Sequence, residues 1–112
     1  SETQSVLNAT DAYNTTIDAL VASKGLAKVD LKGILQDASA GGVVFDSFTM
    51  STDLVFGGLV SLDGVHLTAR GYALMANRFL EAIDATYGSN FVAAGRVARA
   101  NDFPVNYSPE LQ

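Results

Sequence analysis

The spacing of apolar residues changes several times along this chain, and glycine, proline or a capping residue marks each change. Tyr13, Ile17, Leu20 and Val21 recur as one helical face does. They predict an amphipathic helix from about Thr3 or Thr10 to Lys24, with Thr10 as N-cap for the later start and Gly25 as the stop. Leu26 to Val29 is a short apolar run between Gly25 and Asp30, predicted as a buried strand, although so short a run does not by itself separate strand from helix. Leu31, Ile34, Leu35 and Ala38 restore helical spacing until Gly41 and Gly42 end it.

Residues 43–62 mix Gly, Ser and Thr with β-formers such as Val43, Val44, Phe45, Val55 and Phe56, and read as a long loop holding short extended pieces or a small hairpin. A loop of that length inside a small domain is more often functional than not. From Thr68 the helical pattern is strong. Tyr72, Ala76, Phe79, Leu80, Ile83 and Tyr87 share one face, on which Tyr72, Phe79 and Tyr87 are expected to be core, and Arg70, Asn77, Arg78, Glu81 and Asp84 occupy the rest, with Arg78 to Glu81 and the acidic residues expected to be solvated. Thr68 fits the N-cap and Gly88 the position after the last turn. Residues 89–112, with Pro104, Pro109 and scattered apolar side chains, predict an irregular tail wrapped over the body.

Composition narrows the function classes. A chain of 112 residues makes one domain, and 48% hydrophobic with 17% charged residues is the balance of a folded one. Twelve acidic and seven basic residues give a net charge of -5 with no basic cluster, so neither nucleic acid nor an anionic membrane surface is an expected partner. The lack of cysteine excludes disulfides, thiolate zinc sites and thiol chemistry while leaving the redox compartment open. No apolar run approaches the ~20 residues of a membrane span, so a soluble chain without a transmembrane segment is expected. The chain begins at Ser1 and not at methionine, without a basic or apolar leader, which reads as a processed, trimmed or recombinantly truncated start.

The candidate chemistry lies just ahead of the last helix, in Ser61-Leu62-Asp63-Gly64-Val65-His66-Leu67-Thr68, which holds the single histidine. A spacing of three lets one turn carry both side chains the same way, so that Asp63 accepts the Nδ1 proton of His66 and Nε2 is left as a base. Gly64 supplies the backbone freedom of the turn. Two neighbouring polar residues are equally consistent with a hydrogen-bonded turn that does no chemistry.

Asp-Gly-Val-His-Leu-Thr, followed by Gly71-Tyr72 and an amphipathic helix to residue 86, resembles the last sequence block of the SGNH/GDSL serine hydrolases, a family of esterases and lipases. The likeness extends more weakly back to about residue 10. The resemblance implies the C-terminal portion of a three-layer α/β/α sandwich, mostly helical here, with one short buried strand and a long loop before the last helix. It also implies that Asp63 orients His66, that His66 activates a serine, and that the substrate is an acyl ester, a lipid or an acetylated sugar. No cofactor or metal is implied, and an extracytoplasmic location is. The family's serine and oxyanion-hole blocks are missing: neither Gly-Asp-Ser nor Gly-x-Asn-Asp occurs, so the chain alone is expected to be inactive.

Val43-Val44-Phe45-Asp46-Ser47-Phe48-Thr49 looks like a Gly-Asp-Ser turn that has lost its glycine, which makes Ser47 a rival nucleophile. Against it, the tight-turn glycine is absent, and the 15 residues between Ser47 and Asp63 leave no room for a crossover and the intervening strands of that fold. Asp46, Asp53 and Asp63 with His66 show no metal-ligand spacing. Two readings stay beside the hydrolase: a small non-catalytic α+β structural or interaction domain, and a complete small hydrolase using Ser47. In the partial sandwich that the resemblance implies, the apolar faces at Tyr13/Ile17/Leu20 and Tyr72/Phe79/Ile83 and the strand at 26–29 would lack most of the sheet they pack against, which predicts a homodimer or higher homo-oligomer.

Overall fold

The computed structural model describes residues 1–108 and residue 110; Pro109, assigned above to the tail, lies outside the described residues. The fold is a small α+β arrangement, about half helical, of helices α1 (Glu2–Lys24), α2 (Leu31–Ala40) and α3 (Ala69–Tyr87) and strands β1 (Val43–Phe45) and β2 (Phe48–Met50). Local chemistry sets the helix ends. Ser1 accepts from the amide of Gln4 at the start of α1, so the helix begins ahead of Thr10, whose hydroxyl donates to the Val6 carbonyl inside the helix. Gly25 and Gly88 end α1 and α3 with positive φ, the left-handed cap that glycine adopts without a Cβ clash. Asp30 caps α2 through the amide of Gly33.

The sheet is one antiparallel hairpin, Val43 opposite Met50 and Phe45 opposite Phe48, turning at Asp46 and Ser47. The strand expected at Leu26 to Val29 does not form. These residues are an exposed to half-buried connection with no strand beside them, and an extended segment needs a neighbour to take its backbone bonds. Ala27 instead donates its amide to the Tyr87 hydroxyl, and Lys28 and Lys32 pair with Asp18 and Asp11 on α1. Among the described residues the one sheet is this antiparallel hairpin, with a single parallel bridge of Ser51 to Gly58 and a single antiparallel one of Val60 to Leu67 beside it, and the layers of an α/β/α sandwich are not seen there.

The core gathers Ala38, Phe45, Met50, Leu59, Leu74 and Ala100, so hairpin, α3 and tail share it, while α1 contributes no buried residue. The sequence reading of α3 is corrected here. Tyr72, Phe79 and Tyr87 are about half exposed, whereas Arg70 is only 3% exposed and Asn77 is buried. The Arg70 Nε donates to the carbonyls of Ala100 (2.9 Å) and Phe103 (3.1 Å), and its guanidinium lies 4.1 Å from the centre of the Phe48 ring. Asn77 exchanges two bonds with the backbone of Ala98, 2.9 and 2.8 Å. The tail therefore wraps over the body as expected, but on the polar-looking side of α3, because Arg70 and Asn77 satisfy backbone groups that an apolar face would have left orphaned. Arg78 and Glu81 form the expected exposed pair at 2.8 Å.

No helix among the described residues is long and apolar enough to cross a membrane.

Candidate active site

The loop that carries Asp63 and His66 is held at both ends before either side chain matters. Val60 and Leu67 form an antiparallel bridge, Ser61 donates its amide to the His66 carbonyl (2.8 Å), and Thr68 donates its amide to the Leu59 carbonyl (2.9 Å). A four-residue turn closes the tip: Gly64, at φ 71°, donates to the Ser61 carbonyl (2.9 Å). At the base, the Thr68 hydroxyl accepts from Gly71 at the start of α3 and donates to the Gly58 carbonyl at 2.6 Å. Gly71 is required by proximity, since a Cβ there would stand 2.5 Å from the Leu59 carbonyl oxygen. The glycine that follows the histidine by five positions is thus explained by the approach of α3 to the strand-like segment 59–60.

On this frame the two carboxylate oxygens of Asp63 do different things. Oδ1 accepts from the Ser61 hydroxyl (2.7 Å) and from the amides of Val65 and His66 (2.9 Å each), which fixes the carboxylate against its own loop. Oδ2 is left for the imidazole and lies 2.6 Å from His66 Nδ1. The His66 side chain is 71% exposed and the Asp63 side chain 50%. The His66 ring, then Ser61 and the two amides, hold the Asp63 carboxyl well below the usual carboxylate range, so it is an anion at any ordinary pH. A carboxylate anion on one ring nitrogen favours the tautomer with the proton on Nδ1 and directs the Nε2 lone pair outward.

The spacing argument therefore brought together the pair it named, in the orientation it named. It missed Ser61, which aligns the carboxylate; a serine two positions before an aspartate is only a weak side-chain turn signal. Ser61 is not aimed at the histidine, and among the described residues no serine or threonine hydroxyl is hydrogen-bonded to His66. Ser47 sits exposed in the β1–β2 turn beside Asp46, which is at φ 54° and whose carboxylate accepts from the Ala100 amide at 2.6 Å. Asp46 is thus a tail anchor, and it does not join Asp53, Asp63 and His66 in a cluster: among the described residues no group of three or more acidic or histidine side chains is gathered as metal ligands are. What the site can do by itself is accept and return a proton at Nε2; the group that would give up that proton has to come from elsewhere.

In comparison with known proteins, no family model matches the chain and no curated protein or solved structure matches it, which leaves the residues themselves to carry the functional reading.

Proposed function

We propose that Asp63 and His66 are the orienting acid and the general base of a serine ester hydrolase of the SGNH/GDSL type, and that this chain corresponds to the C-terminal portion of its α/β/α sandwich. The observation that carries the reading is the 2.6 Å contact of Asp63 Oδ2 with His66 Nδ1 on a loop that points both groups into solvent. A pair serving only to tie down the loop needs no more than Oδ1, which already takes three hydrogen bonds; the second oxygen is spent on aligning an exposed ring. In such an enzyme His66 Nε2 takes the serine proton as the oxygen attacks the ester carbonyl, and returns it to the leaving alkoxide; Asp63 stabilises the imidazolium between the two events. The substrate is an acyl ester, a lipid or an acetylated sugar, and the reaction needs no cofactor. An extracytoplasmic location goes with the same reading.

The test is ester turnover of the protein as its gene encodes it. His66→Ala is expected to lower kcat by about 10⁶ and Asp63→Asn by about 10⁴, while the 112-residue chain on its own stays at background with a short activated ester. Turnover that neither substitution touches sinks the assignment, and turnover by the chain alone that disappears with Ser47→Ala moves the nucleophile to Ser47. A specific observation also favours the structural reading. The three bonds to Oδ1 and the Thr68 cap tie loop to helix whether or not chemistry follows, and an active gene product would decide between the two.

A further inference from the structure

Every polar group of Ser61 is directed into the loop that carries the dyad. Its amide donates to the His66 carbonyl at 2.8 Å, its carbonyl accepts from the Gly64 amide at 2.9 Å, and its hydroxyl donates to Asp63 Oδ1 at 2.7 Å. The first two bonds are backbone bonds that any residue but proline can make. Only the third depends on a hydroxyl, and it is the one that reaches the carboxylate.

The two oxygens of a carboxylate are chemically alike, and the last torsion of an aspartate is broad, so the partners of Asp63 have to decide which oxygen meets the ring. The amides of Val65 and His66 both reach Oδ1 at 2.9 Å from the C-terminal arm of the turn. They pin one oxygen and leave the group free to pivot about it. The Ser61 hydroxyl comes from the opposite arm, the two arms being joined by the Ser61–His66 backbone bond and the bridge of Val60 to Leu67. With donors from both arms on Oδ1 the pivot is stopped, and Oδ2 stays 2.6 Å from His66 Nδ1. A misplacement of about 1 Å at a reacting group can cost about a hundredfold in rate. All of these bonds run within residues 60–67, so they hold whatever packs against the helices.

We infer that Ser61 is a positioning residue of the dyad: its hydroxyl holds the Asp63 carboxylate so that Oδ2 meets Nδ1, and thereby keeps the neutral His66 ring in the tautomer with its proton on Nδ1 and its lone pair on Nε2. The inference rests on the proposed role of His66 as general base, because only that tautomer can take a proton at Nε2. Ser61 is no nucleophile itself, since the single proton of its hydroxyl goes to Asp63.

Two measurements on the protein as its gene encodes it separate this inference from the hydrolase reading. The ring nitrogen chemical shifts of neutral His66 are expected to show mostly the Nδ1–H tautomer in the wild type, a smaller share of it in Ser61→Ala, and the wild-type share again in Ser61→Thr, which keeps the hydroxyl. Ser61 is half-buried in a loop, so Ser61→Ala retains the fold and its far-UV helicity. In ester turnover, Ser61→Ala is expected to lower kcat about tenfold with KM unchanged, the effect of one lost hydrogen bond, and Ser61→Thr to restore it. A tautomer share that Ser61→Ala leaves as it was overturns the inference whether or not the protein is active. So does a kcat indifferent to Ser61→Ala in an enzyme that His66→Ala disables. A gene product without ester turnover defeats the hydrolase reading instead, and the tautomer share still decides whether Ser61 aligns the ring.

Discussion

Asp63 shows how much a three-residue spacing can tell and where it stops. The dyad was legible because both partners lie in one turn, and a local turn fixes their relation whatever the remainder of the chain does. The role of Ser61 was less so, because a serine near an aspartate has many possible acceptors. The carboxyl of Asp63 is held low by the His66 ring first, and by Ser61 and the amides of Val65 and His66 after it. A folded pKa below the unfolded one means that the unfolded chain binds the proton more tightly. The contribution to stability is therefore complete above the unfolded value of ~3.9 and is lost as pH falls below it toward the folded pKa. The Asp63 Cγ chemical shift is expected to titrate with a midpoint below ~3.9 and to move toward that value in Ser61→Ala and His66→Ala. A midpoint at the ordinary value in the wild type would mean that the four bonds to the carboxylate are not made in solution.

At the level of elements, what could be read from sequence was what local chemistry determines. Thr68, Gly25 and Gly88 cap the helices they were assigned to, and the β-formers after Gly42 make the small hairpin. The missing strand at 26–29 and the reversed face of α3 share one cause, namely that each depends on a partner far away in the chain. Helix α3 carries two apolar stripes: the one through Ala73 and Leu74 is covered by hairpin and tail, the one through Tyr72 and Phe79 is not. What selects between them is Arg70 and Asn77, whose partners are backbone groups of residues 98–103 and so leave no mark in residue type. Arg70→Met keeps the length of the side chain and removes its donors, orphaning the Phe103 carbonyl, leaving the Ala100 carbonyl only its bond from the Phe103 amide, and ending the contact with the Phe48 ring. It is expected to destabilise the fold by about 2–4 kcal/mol, measured by urea unfolding. Arg70→Lys should recover only part of this, since an ammonium does not reproduce the guanidinium fork. A change below about 0.5 kcal/mol for Arg70→Met, the range of an ordinary surface substitution, would mean that the tail is not fastened to α3 in this way.

For the molecule as a whole, stability is divided unevenly, and the division is itself testable. The core joins hairpin, α3 and tail, whereas α1 buries nothing and meets the body through exposed ion pairs and the Ala27–Tyr87 hydrogen bond just beyond its end. Exposed pairs are screened by water and salt, so α1 is held mainly by helix propensity and its caps, which is marginal even for a helix of this length. Amide exchange of α1 is expected to be slowed only roughly tenfold relative to an unfolded chain, while the middle of α3 exchanges only on global unfolding. Equal protection of α1 and α3 would show that α1 is bound to its body more firmly than its exposed face and few contacts allow.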